Sequence, residues 1–229
     1  MHIGQQGTYP VAGGQRVTIC GVDEAGKGAV LGPMVIAAVC CHTEEECSRL
    51  GMRDSKTLSH ARREELYALV ERYFTTAVVI VTPQDIDACL EEMTINVCLA
   101  RAHAEVIQQL RPEKAFVDAV DVIAARHAET MRRFMDWDCT IISEHKADRT
   151  YPVVGAASIV AKVIRDREVD ALRKRYGDFG SGYPADPATR AYLEHYIREH
   201  RVPPPFARKS WKTISEYLNS LRQRELTEF

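Results

Sequence analysis

Between Val17 and Gly28 the chain runs from a short apolar stretch, Val17 to Val22, into two adjacent acids, Asp23 and Glu24. A turn follows in which Lys27 stands between Gly26 and Gly28. The apolar run has the length and composition of a buried strand. Carboxylates at the end of such a strand are costly unless paired, hydrogen-bonded or bound to metal. A turn built on glycines lets backbone N–H groups approach a ligand closely. Together these features point to a divalent cation beside a phosphate or a sugar. They also constrain the backbone. Successive strand residues point to opposite faces, so Asp23 and Glu24 can serve one site only if the strand distorts or ends there.

The 229 residues fit one large domain, or one domain with a small appendage. No apolar stretch reaches the ~18–20 residues of a membrane span. Residues 1–15 are polar and glycine-rich, a loose leader without the basic-then-apolar order of a secretory signal. The seven cysteines are odd in number and lack CxxC spacing, so we expect buried thiols in a cytoplasmic protein, with neither disulfides nor a zinc site. The net charge of -2 argues against nucleic acid as a partner, but the charge is uneven. His145 to Tyr176 holds eight Lys/Arg against four Asp/Glu, and Arg190 to Arg224 eight against three. Such patches suit phosphate binding; solvated helix faces are the alternative.

Strands are expected over Val17 to Val22, Pro33 to Cys41, Thr75 to Val81, Lys114 to Asp118 and Cys139 to Ser143. Helices are expected over Ser59 to Tyr73, with Ser59 as N-cap, from Thr82-Pro83, and over Thr94 to Leu110, Ile123 to Met135, Ala156 to Tyr176, Pro187 to Glu199 and Thr213 to Arg224. Three strands followed by helices alternating with two more define an α/β protein: a mixed central sheet flanked by helices, plus a helical C-terminal extension. We divide the chain into a leader (1–15), a catalytic domain (16–185) and a helical subdomain (186–229).

Two further acids stand where a site is built. Asp118 closes the run Ala115-Phe116-Val117, at the carboxyl edge of a strand, and Asp148 lies between a strand and the long helix. Asp23, Glu24, Asp118 and Asp148 can meet only through folding. Carboxylates with waters and substrate phosphate hold Mg²⁺, and two such ions can drive phosphodiester hydrolysis.

DEAGKG, the following GPMVIAA, Asp54-Ser55-Lys56, FVDAVD, HKAD and AASIVAKV at 156–163 resemble type 2 ribonuclease H in order and spacing. The ending Arg208-Lys209-Ser210-Trp211-Lys212-Thr213 is most similar to archaeal members. The resemblance covers about Val17 to Thr213. It implies a ribonuclease H-like fold and an endoribonuclease that cuts the RNA strand of RNA/DNA hybrids and single ribonucleotides in duplex DNA. It implies hydrolysis with two Mg²⁺ or Mn²⁺ ions, leaving 5′-phosphate and 3′-hydroxyl ends. The matching carboxylates are Asp23, Glu24, Asp118 and Asp148, with Asp23 bridging the metals. Gly26, Lys27 and Gly28 match the segment that senses the 2′-hydroxyl, and Tyr183 the tyrosine that packs against the junction nucleotide. Many members carry Arg where this chain has Lys27, so a bidentate phosphate clamp becomes a point charge.

Ser55 and Lys56 suit a phosphate contact or a capped turn. Ser158 and Lys162, one helical turn apart, suit either the substrate backbone or a surface lysine above a buried serine. Trp211 fits an anchor for the extension better than a contact to the duplex. His145 is the only histidine near a proposed ligand, and we expect it to be structural or to support a ligand from behind. Gln223, Leu226 and Phe229 resemble the short peptide that docks on the replication sliding clamp; a fraying helix end is the alternative. A monomer with no membrane contact is expected. Two competing readings are weaker. A non-catalytic hybrid-binding module needs a broken acidic set, and none of the four is substituted. A dinucleotide site needs GxGxxG, whereas Gly26-x-Gly28 is followed by Gly32 one residue too late, with a strand-like run beyond it.

Overall fold

The computed structural model describes residues 19–49, 51–52 and 58–227. Strand β1 (Ile19–Ala25) pairs antiparallel with β2 (Met34–Cys41), and β2 pairs antiparallel with β3 (Thr75–Val81). On its other side β1 pairs in parallel with β4 (Lys114–Asp118), and β4 with β5 (Thr140–Glu144). The sheet is therefore mixed and five-stranded, in the order β3-β2-β1-β4-β5. Helices α1 (Glu44–Arg49), α2 (His60–Tyr73), α3 (Pro83–Glu92), α4 (Ile95–Leu110), α5 (Ala124–Arg132), α6 (Ala147–Thr150) and α7 (Pro152–Tyr176) surround it; α8 (Pro187–His200) and α9 (Lys212–Thr227) complete the chain.

Every residue of β2 is buried, the pattern of a strand covered on both faces. Cys20, Val22, Met34 and Ile36 pack with Leu99 and Ile107 of α4. Val35, Ala37 and Val39 pack the other way, with Leu66 and Val70 of α2 and Ile159 and Val163 of α7. A third cluster joins Val30 and Leu31, just past the glycine turn, to Val169, Phe179, Leu193, Phe206 and Ile214. It seats α8 and α9 against the segment that forms the site. Among the described residues no helix is long and apolar enough to cross a membrane.

β3 and β4 have the expected bounds, and Ser59 caps α2 by accepting from Arg62 N at 3.2 Å. The long helix starts at Pro152 rather than Ala156, because proline at the first helical position sacrifices no hydrogen bond. Two expectations are overturned. β1 neither distorts nor ends at the acids: it keeps regular register through Asp23↔Ala37, Glu24↔Ile36 and Ala25↔Val35. The cysteines are not all free. Register sets Cys20 opposite Cys40, and they form a disulfide with Cα atoms 4.2 Å apart; Cys89 and Cys98 form another across the α3–α4 connection, 6.2 Å apart. Cys41, Cys47 and Cys139 are buried free thiols.

Candidate active site

A notch in the sheet brings the acids together. The β1–β4 ladder stops at Val22↔Val117, so Asp23 and Glu24 continue on β1 past the last residue it pairs with on β4. Asp118 is the next residue of β4. Asp23 takes the α7 face and Glu24 the α4 face, as alternation demands. Both still line one cavity of about 390 Å³, along with Asp118, Gly26, Lys27, Gly28, Ser158, Lys162 and Tyr183. The carboxylates share the cavity because the neighbouring strand ends, not because β1 bends.

Asp23 is almost wholly buried, and its Oδ1 accepts from Glu24 N at 2.7 Å. Burial pushes its carboxyl well above the usual carboxylate range. The Glu24 carboxylate adds to this, the Ser158 hydroxyl pulls it partly back, and Asp118 raises it again. Asp118 Oδ1 accepts from Ala147 N at 2.9 Å, which ties β4 to the first turn of α6. Asp148 follows on that same helix, next to the Ala147 whose N–H binds Asp118, and is fully buried; it is not among the residues that line the cavity.

The turn is held from beneath. Gly26 has φ 89°, the left-handed region that glycine adopts without strain, and a Cβ there would stand 2.8 Å from Pro33 O. Gly28 differs: a Cβ would meet nothing nearer than Tyr183 Cε1 at 4.0 Å. The protein's own packing does not require glycine there, and the space it leaves opens toward the cavity. Lys27 Nζ donates to Val120 O at 2.9 Å, linking the turn to the loop after Asp118. Under Tyr183 lies the buried Arg165, its Cζ 4.7 Å from the ring centroid, with Nη2 donating to Ser181 O at 3.1 Å.

Of the expected site residues, the fold gathers Asp23, Glu24, Asp118, Gly26, Lys27, Gly28, Ser158, Lys162 and Tyr183 on one cavity, with Asp148 buried nearby. Ser158 is buried and serves Asp23, while Lys162 is ion-paired with Asp166 at 2.5 Å. Ser55 and Lys56 lie outside the described residues. Trp211 packs between two core clusters, as an anchor does. Two residues escaped the sequence reading. Arg63, in the first turns of α2, lines the cavity and donates Nη1 to Leu58 O at 2.7 Å. His103 reaches Glu24, its Nε2 3.4 Å from Oε2. The available signal was a histidine four residues from both Leu99 and Ile107 on an apolar helix face, where a buried polar ring needs a partner.

Among the described residues no three Asp, Glu, His or Cys side chains stand close enough to hold an ion unaided. Mg²⁺ does not require this: one or two carboxylates suffice when waters and substrate phosphates complete the shell. The donors are hard oxygens, and the crowding of Glu24 and Asp118 on Asp23 is what a divalent cation relieves. The residues fit such an ion.

A mixed five-stranded sheet with an acidic cavity where β1 outruns β4 defines a nuclease of the ribonuclease H class. The comparisons narrow this. The family model for ribonuclease HII matches residues 20–214. Ribonuclease HII of Methanoregula boonei is 58% identical over 211 residues, 92% of this chain and 99% of that one. The Archaeoglobus fulgidus ribonuclease HII solved in complex with PCNA superposes with TM-score 0.80 at 44% identity, covering 86% of this chain and 96% of that one. The Pyrococcus horikoshii ribonuclease H2 gives 0.83 at 38%, covering 90% and 99%. The chain belongs to the ribonuclease HII family of metal-dependent endoribonucleases.

Proposed function

We propose that this cavity hydrolyses the RNA strand of RNA/DNA hybrids and single ribonucleotides embedded in duplex DNA, leaving 5′-phosphate and 3′-hydroxyl ends. One observation carries the reading: acids from β1 and β4 share a cavity with a glycine turn whose Gly28 faces open space beside Tyr183. Asp23, Glu24, Asp118 and Asp148 are the residues that would hold two Mg²⁺ or Mn²⁺ ions. When bound, such ions supply an activated water and neutralise charge developing on the phosphate. The turn's backbone meets the 2′-hydroxyl, the group that separates a ribonucleotide from its DNA neighbours. Tyr183 packs on the junction nucleotide. Lys162 and Ser158 meet the phosphate backbone, as would Ser55 and Lys56.

Residues 16–185 carry the catalysis, and 186–229 form a basic helical subdomain on a monomeric enzyme. Gln223, Leu226 and Phe229 dock on the sliding clamp; the PCNA-bound relative from Archaeoglobus fulgidus supports this.

The test is a cleavage map on duplex DNA holding one ribonucleotide, with an all-DNA control. A cut confined to the ribonucleotide, lost in EDTA and restored by Mg²⁺ or Mn²⁺, is expected. Retention of the duplex on a gel without metal-dependent cleavage would instead make the chain a binding module.

A further inference from the structure

The carbonyls of the glycine turn converge on one side chain from the far end of the chain. Arg208 Nη2 donates to Gly26 O at 2.7 Å, Nη1 to Lys27 O at 2.8 Å and Nε to Gly32 O at 3.2 Å. The residue is fully buried. Burial, then the nearby Arg165 charge, lowers its pKa to about 9. A buried guanidinium aimed at main-chain carbonyls bears a large desolvation cost. Apolar packing alone would secure the extension more cheaply.

The segment carrying Arg208 is itself pinned. Asp87 on α3 accepts from Lys209 N at 2.9 Å and Ser210 N at 3.0 Å. Arg208 N donates to Val30 O at 3.0 Å, Gly32 N donates to Phe206 O at 2.9 Å, and Leu31 forms a β-bridge with Ala207. The Trp211 ring centroid lies 5.0 Å from Arg208 Cζ. The guanidinium therefore has one fixed place, and so have the carbonyls it binds.

We propose that Arg208 is a positioning residue for the reaction: it clamps the carbonyl side of the Gly26–Gly28 turn, so that the turn presents one backbone face to the ribose, and it thereby sets the cleavage rate at a ribonucleotide. This rests on the reading of the turn as the reader of the 2′-hydroxyl. The C-terminal segment is then part of the specificity device as well as a support.

The experiment uses the full chain with Mg²⁺ on duplex DNA containing one ribonucleotide, with rates normalised to titrated active sites. Gly28→Ala tests the turn itself, since a Cβ there enters open space and spares the fold. It is expected to slow cleavage. Arg208→Lys keeps the charge but loses the fork, and Arg208→Gln loses both. We expect kcat to fall in the order Arg, Lys, Gln, reaching about 100-fold for Gln, the cost of a misplacement near 1 Å. KM should stay within about threefold if ground-state binding is spared. Deuterium exchange at the amides of residues 27–29 should accelerate, while β2 and β3 amides keep their protection. Ile214→Ala, which empties a core position in the same extension, should lower the melting temperature and leave kcat unchanged. Full kcat in Arg208→Gln alongside a slowed Gly28→Ala overturns the role of Arg208 and leaves the turn reading standing. An unimpaired Gly28→Ala removes the turn reading, and this proposal with it. A kcat loss in Ile214→Ala equal to that of Arg208→Gln reduces Arg208 to a structural support.

Discussion

His103 Nε2 lies 3.4 Å from Glu24 Oε2, with the imidazole wholly buried in α4. Behind it, His103 Nδ1 and His127 Nε2 are 3.0 Å apart. Burial holds His103 at about pKa 3, so the ring stands beside Glu24 uncharged, with Nε2 near Oε2 but not hydrogen-bonded to it. Strand alternation puts Glu24 on the face of β1 away from Asp23, and the ring packs against its carboxylate there. On the proposed two-ion reading Glu24 is a metal ligand, and a residue packed behind such a carboxylate is worth roughly 10–100-fold in affinity or activity. His103→Ala should therefore weaken Mg²⁺ binding, read by calorimetry on the substrate-free protein, and lower kcat by a similar factor. His103→Asn should recover part of both.

His127 predicts the acid limb of stability. Burial, then the neighbouring His103, brings it from 6.5 to about 3. The folded pKa lies below the unfolded one, so between these values the unfolded chain binds more protons. The contribution is fully present above pH 6.5 and is lost as pH falls toward 3. The slope is at most about 1.4 kcal/mol per pH unit for one histidine. Urea denaturation at several pH values across this window should show wild type losing stability faster than His127→Asn. Parallel curves would contradict the assignment.

Asp23→Asn should separate activity from stability. In the metal-free protein Asp23 is buried beside Glu24 and Asp118, and its ionised form is disfavoured. A neutral amide of the same shape removes that repulsion. Cleavage should disappear, while the melting temperature of the metal-free protein rises by about 2–4 °C, the response of a domain this size to ~1 kcal/mol. Substantial residual cleavage with added Mn²⁺ would count heavily against Asp23.

What the sequence disclosed divides by range. Asp23 to Gly28 was legible because strand, acids and turn are contiguous, and Thr82-Pro83 marks the end of β3 on the spot. α6 was not, since a helix of four residues has no period to read. The Cys20–Cys40 pair depends on strand register, and His103 meets Glu24 only once α4 is laid across the sheet. Arg208 stood inside a recognised motif, but its acceptor Gly26 O is 182 positions away. Local chemistry was visible, and the family resemblance named distant residues that share the cavity; the distant contacts that hold them in place were not visible.

Lys27 gives a further test. Its Nζ donates to Val120 O, so the lysine braces the turn against the loop after Asp118. Lys27→Met should lower kcat/KM by roughly tenfold, about 1.4 kcal/mol of transition-state stabilisation. Lys27→Arg should change the ratio of cleavage at a single ribonucleotide to cleavage of a continuous hybrid, because a planar fork can grip phosphate bidentately. An unchanged rate and ratio in Lys27→Arg would show that the backbone of the turn acts alone.

The tail should be separable from catalysis. Gln223 is exposed near the end of α9, whereas the buried Ile214 seats the start of that helix. Deleting residues 223–229 removes Gln223, Leu226 and Phe229 and leaves Ile214, Tyr217 and Leu218 of the third core cluster in place. Cleavage by the enzyme alone should keep its kcat/KM. Binding to an archaeal sliding clamp, measured by surface plasmon resonance, should weaken by more than about tenfold, at least 1.4 kcal/mol. Any stimulation of cleavage on clamp-loaded duplex should vanish with it. Clamp affinity that survives the deletion would place the contact elsewhere on the enzyme and leave the tail a helix end.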